Sequence, residues 1–67
     1  MGKNLAMKEA RKEKGLSQDA LATAVGVSRQ TINAIEKGDY NPTIRLCINI
    51  CRVLGLTLND LFWEEEP

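Results

Sequence analysis

Between Gln18 and Lys37 the chain reads QDALATAVGVSRQTINAIEK, and this stretch limits the fold more than any other because two short apolar stripes flank a single glycine. Leu21, Ala22 and Val25 fall on one side of a first helix, while Ile32 and Ile35 repeat at i, i+3 on a second. Each helix therefore has a face to bury. Gly26 stands between them, where a sharp turn calls for positive φ that glycine adopts without a Cβ penalty. Ala22 is small enough for the second helix to cross closely. Ser17 and Ser28 each precede a helical run, and a serine oxygen there satisfies an otherwise unpaired amide of the first turn.

The flanking sequence extends the same logic to five helices. The first is expected from about Leu5 to Lys14, with Leu5, Met7 and Ala10 on its buried side and Gly15 as its stop. The second covers Gln18 to Val25 and the third Arg29 to Lys37, ended by Gly38. Asp39-Tyr40-Asn41-Pro42 is a loop, since Pro42 disfavours helix at Asn41 and has no amide to donate. Thr43 caps a fourth helix reaching about Leu54, and Thr57 caps a short fifth from Leu58 to Phe62. The expected fold is all-α, one compact unit over residues 1–67. Trp63, directly before three glutamates, has two readings. Either it covers one end of the core, or residues after the last helix form a strand that pairs with Lys3 to Leu5.

The string LSQDALATAVGVSRQTINAIEKGDYNPT, Leu16 to Thr43, resembles the DNA-binding domain of the Cro and phage-repressor family, the Xre-like helix-turn-helix regulators. The similarity continues through LGLTLNDLF, Leu54 to Phe62. It rests on the joint placement of Ser17-Gln18, Gly26-Val27-Ser28, Ile32, Glu36-Lys37-Gly38 and Asn41-Pro42. The resemblance implies a module that reads double-stranded DNA with its third helix.

A helix fits the major groove, where each base pair displays its own donor and acceptor pattern, and side chains early in the recognition helix reach base edges. Ser28, Arg29, Gln30, Asn33 and Ala34 occupy that side. Arg29 can donate two bonds to guanine O6 and N7; Gln30 or Asn33 can exchange two with adenine N6 and N7. Thr31 can meet a thymine methyl or a phosphate, or face the second helix. Phosphate contacts are expected at the amino end of the second helix, with Gln18, and at the loop entering the fourth, near Asn41 and Thr43, because helix N-termini attract anions. Lys37, Arg45 and Lys14 add longer-range attraction. The resemblance further places Arg11 against Glu36 as an ion pair, with Arg11 also able to extend to a phosphate.

Net charge is zero, which by itself does not suggest a nucleic-acid partner. Distribution matters more. Residues 1–14 hold five Lys or Arg against two Glu, whereas residues 57–67 hold Asp60 and Glu64 to Glu66 and no base. A basic side can meet phosphates while the acidic end points away and limits sequence-independent binding. A chain of 67 residues buries only about 60% of its unfolded surface, so pairing of two copies would help it. Leu46, Val53, Leu58 and Leu61 exceed what one small core needs, which makes the end of helix four and helix five the expected homodimer surface. Twofold symmetry then suits a near-palindromic operator.

Other function classes find little support. There is no His, and capping accounts for the serines, so no general base or cofactor loop stands out and an enzyme is not expected. Cys47 and Cys51, at i, i+4 and in step with Ile44, Ile50 and Leu54, read as buried thiols, and two sulfurs without His do not complete a metal site. A redox role stays open, although an undistorted helix aims the two sulfurs poorly for a disulfide. No cofactor or small-molecule ligand is implied. The longest apolar run is far short of the roughly 20 residues that span a bilayer, and MGKNLAMKEARKEK lacks a secretory apolar core. The expected location is the cytoplasm. Two functions follow: transcriptional regulation, most simply repression by a DNA-bound homodimer, or a protein-interaction module such as an antitoxin or anti-repressor on the same fold.

Overall fold

The computed structural model describes residues 4–62, which form five helices: α1 (Leu5–Glu13), α2 (Gln18–Val25), α3 (Arg29–Lys37), α4 (Ile44–Leu54) and α5 (Leu58–Leu61). Among the described residues there is no strand. Leu5 belongs to α1, and a pairing that involves Lys3 or the residues from Trp63 onward lies outside the described residues.

Every helix starts on a side-chain cap. Asn4, Ser17, Ser28, Thr43 and Thr57 accept from the amides of Met7, Ala20, Thr31, Leu46 and Asp60 respectively, each satisfying a first-turn donor that has no intrahelical partner. At α5 the cap is reciprocal, because Asp60 Oδ2 accepts from the Thr57 amide at 3.0 Å. The backbone and side-chain hydrogen bonds from Thr57 hold the Asp60 carboxyl below its ordinary pKa. Two glycines matter for the turns around α3. Gly26 at φ +78° lets Val27 N–H close onto Ala22 O at 3.0 Å, and Gly38 at φ +83° lets Asp39 N–H close onto Ala34 O at 2.9 Å.

α2 packs against α3 and α4, and α5 packs against α1 and α4. Met7, Leu21, Ile32 and Ile50 are fully buried at the centre, joined by Ala10, Ala22, Ile35, Leu46, Cys51, Leu54 and Leu61. Ala22 is 2% exposed at the crossing of α2 on α3, where its lack of bulk allows close approach. Cys47 and Cys51 are free, buried thiols, and burial raises the pKa of both.

Four apolar residues are placed otherwise than their spacing suggests. Leu5 is 58% exposed and Ile44 is 65% exposed. Both are the first residue of their helices, and α1 and α4 first turn inward two positions later, at Met7 and Leu46. Conversely, Leu46 and Leu61 lie in the core of the single chain at 8% and 5% exposure, so they do not offer a surface to a second copy. Val53 and Leu58 keep partial exposure. So small a domain uses its α4 and α5 leucines to close its own core.

Candidate nucleic-acid interface

α3 is held from below and presents one polar side. Ile32 and Ile35 anchor it in the core, while Ser28, Arg29 and Gln30 at its amino end are exposed and Asn33 and Ala34 half-buried. Arg29 and Asn33, Gln30 and Asn33, and Gln30 and Ala34 stand three or four positions apart, so their side chains share a surface. Arg29 and Gln30 project from the first turn with no helix packed over them. Ser28 is spoken for in part: its hydroxyl accepts from the Thr31 amide and lies 3.0 Å from the Thr31 hydroxyl. Thr31 thus completes the cap and is half-buried.

Beneath this surface runs a hydrogen-bonded network from α1 to α3. Arg11 Nε donates to Glu36 Oε2 at 2.8 Å and Nη2 to Oε1 at 3.3 Å, a forked contact between α1 and α3. The third bond, Arg11 Nη1 to Leu16 O at 2.8 Å, fixes the loop that leads into α2. Arg11 and Glu36 are 7% and 6% exposed. Gln18 Nε2 donates to Glu36 Oε1 at 3.1 Å and to Asn33 Oδ1 at 3.2 Å, tying the start of α2 to the exposed side of α3. Among the described residues no buried side-chain nitrogen or oxygen lacks a partner, so this polar layer is fully satisfied.

The network changes what two residues can do. The Arg11 guanidinium is 7% exposed and directs three of its five N–H donors to protein acceptors, which leaves one hydrogen on each Nη for any further partner. The Gln18 side-chain amide likewise spends its NH2 group inward, which leaves a phosphate contact at Gln18 to its backbone amide at the open end of α2. The remaining phosphate candidates are accessible. Asn41, Thr43 and Lys37 are all exposed, and the Thr43 hydroxyl, which accepts from the Leu46 amide, keeps its own hydrogen to donate. Arg45 is exposed near the start of α4. Lys14 sits apart from these residues, its Nζ 3.7 Å from where a Cβ on Gly55 would stand, beside the carboxyl end of α4.

Sequence reasoning passed over Asn4. Its amide NH2 donates to Leu61 O at 2.7 Å and its backbone N–H to Glu36 O at 3.0 Å, so one residue joins α1, α3 and α5. An Asn directly before the first apolar residue of a helix is a legible cap, but its two distant partners have no local signature.

Residues 7–61 match the helix-turn-helix family model. The uncharacterized HTH-type transcriptional regulator YgzD of Bacillus subtilis is 48% identical over 60 residues, 90% of this chain and 91% of that protein. The N-terminal DNA-binding domain of SinR from Bacillus subtilis superposes with a TM-score of 0.78 at 32% identity, covering 91% of this chain and 90% of that one. The restriction-modification controller protein C.AhdI of Aeromonas hydrophila gives 0.78 at 30% identity over 85% and 86%. Among the described residues no helix is long and apolar enough to cross a membrane. The chain belongs to the Xre-like helix-turn-helix family of DNA-binding transcriptional regulators.

Proposed function

We propose that the protein is a repressor that binds a near-palindromic operator as a homodimer, with α3 of each copy in the major groove of one half-site. The observation that carries this reading is the exposed amino end of α3, where Arg29 and Gln30 are open to solvent on a helix tied to α1 and α2 by buried hydrogen bonds. Those bonds matter because a reader that must be ordered on binding loses affinity to that ordering. Arg29 reads guanine, Gln30 reads adenine, Asn33 and Ala34 meet the neighbouring step, and Ser28 borders the phosphates. The backbone amide of Gln18, the side chains of Asn41 and Thr43, and the charge of Lys37 position the helix on the two flanking backbones.

One recognition helix spans only a few base pairs, which gives little specificity alone. Two helices about 34–36 Å apart would read half-sites one helical turn from each other. Val53, Leu56 and Leu58, clustered around the α4–α5 turn and partly exposed, are the apolar centre of the proposed contact between copies. Bound across a promoter, such a dimer excludes polymerase, and its place of action is the cytoplasm. Sedimentation of the protein with a selected operator tests the assembly. Two chains per duplex are expected; one chain per full site, with equal affinity for an isolated half-site, would overturn the dimer.

A further inference from the structure

We infer that Gln18 is a positioning residue for Asn33, turning its amide so that Nδ2 leads into the groove and selects a keto base, guanine or thymine, rather than adenine. The inference rests on the DNA-reading assignment of α3. It starts from the one member of the network whose hydrogen-bonding sense is fixed by chemistry: a guanidinium can only donate. Arg11 therefore faces Glu36 as a donor, and the ionised Glu36 carboxylate can only accept. Gln18 must then turn its NH2 group, not its carbonyl, toward Glu36. The second hydrogen of that NH2 group points to α3, and Asn33 answers with Oδ1. Either amide reversed would set donor against donor or acceptor against acceptor.

The sense of the whole relay is thus passed from a buried charge to the exposed side of α3. An amide carries its oxygen and nitrogen on opposite sides of its Cβ–Cγ bond, so holding Oδ1 on the α2 side sends Nδ2 the other way. Among the described residues Nδ2 meets no acceptor and no buried side-chain nitrogen is unpaired, so within them Nδ2 is reached by solvent. A two-bond exchange with adenine needs Oδ1 turned to the adenine N6 hydrogen, and Gln18 holds Oδ1 elsewhere. A lone outward donor can still reach N7 of either purine, but on adenine the neighbouring N6 hydrogens oppose it, whereas guanine O6 adds a second acceptor and thymine offers O4, so the keto bases are favoured.

The test is competitive binding at fixed salt of a duplex series in which each base pair of the selected operator is varied, using the native protein, Asn33→Asp and Gln18→Met. The position read by Asn33 is the one whose preference changes in Asn33→Asp, which keeps an oxygen for Gln18 but replaces the outward donor by an acceptor. We expect a keto base there in the native protein, by about tenfold over adenine, and a reversal toward cytosine N4 in Asn33→Asp. Gln18→Met should release the Asn33 amide and bring keto and adenine bases to near-equal affinity at that position alone. A merely structural role for Gln18 would instead weaken all duplexes alike and leave the preference intact, which would overturn the inference, as would adenine at that position in the native protein. Solvent exchange of side-chain amides by NMR supplies a readout without DNA: the Gln18 NH2 should exchange more slowly than that of Asn33, and the reverse order would also overturn it. A native protein that enriches no duplex at all would overturn the DNA-reading assignment itself, even if the exchange order held.

Discussion

Arg11 Nε donates to Glu36 Oε2 at 2.8 Å, joining two helices whose contributing residues lie 25 positions apart in the chain. The pair is nearly closed to solvent, so each charge depends on the other, on Gln18 and on Leu16 O for what it lost in leaving water.

Removing one partner should therefore cost far more than removing both. Arg11→Ala strands a buried carboxylate, and we expect a loss of about 3–5 kcal/mol. For a domain of this size that is most of its stability. The apolar replacement of both, Arg11→Met with Glu36→Leu, should recover much of the loss. Urea denaturation of the three proteins checks this, and a double variant no better than the single one would argue against a buried-charge penalty.

Gly26→Ala tests backbone conformation apart from packing. A Cβ at Gly26 would meet nothing within 4 Å, so the cost is that of a positive φ alone, about 1–2 kcal/mol. Gly26→Asn, which tolerates that region better, should lose less. Thermal melts of the two variants give the order; equal losses would mean that something other than φ is at stake.

The buried thiols predict a stability that falls at high pH. Burial raises the pKa of Cys47 and Cys51 above the ordinary value of 9.0, while the unfolded chain ionises near that value. The unfolded state thus releases protons first, and their contribution is fully present below about pH 9 and lost as pH rises through the folded values. The same burial should keep both cysteines slow to react with iodoacetamide at neutral pH until denaturant is added. Rapid alkylation of the native protein would contradict it.

How much of this was legible beforehand follows from where each signal resides. Helix boundaries are local: Ser17, Ser28, Thr43 and Thr57 announce starts, and glycines announce ends, so α2, α3 and α4 could be read residue by residue. Exposure at a helix start is not local. Leu5 and Ile44 carry the right residue type, yet whether a first turn is covered depends on what packs over it. Leu46 and Leu61 show the converse, since their number suggested a surplus that the core in fact consumes. The inward turn of Gln18 was the hardest to see. Its partners, Asn33 and Glu36, lie 15 and 18 residues away, and the sequence shows only a polar residue after a cap.

The central claim is that the exposed amino end of α3 reads base edges in duplex DNA. The most direct measurement is selection from random double-stranded oligonucleotides at one near-physiological salt concentration, since nonspecific affinity varies steeply with salt, run on the native protein, Arg29→Ala and Gln30→Ala. The account predicts a near-palindromic site for the native protein, with each variant losing definition at its own symmetric pair of positions. A site that keeps full definition in both variants would contradict it.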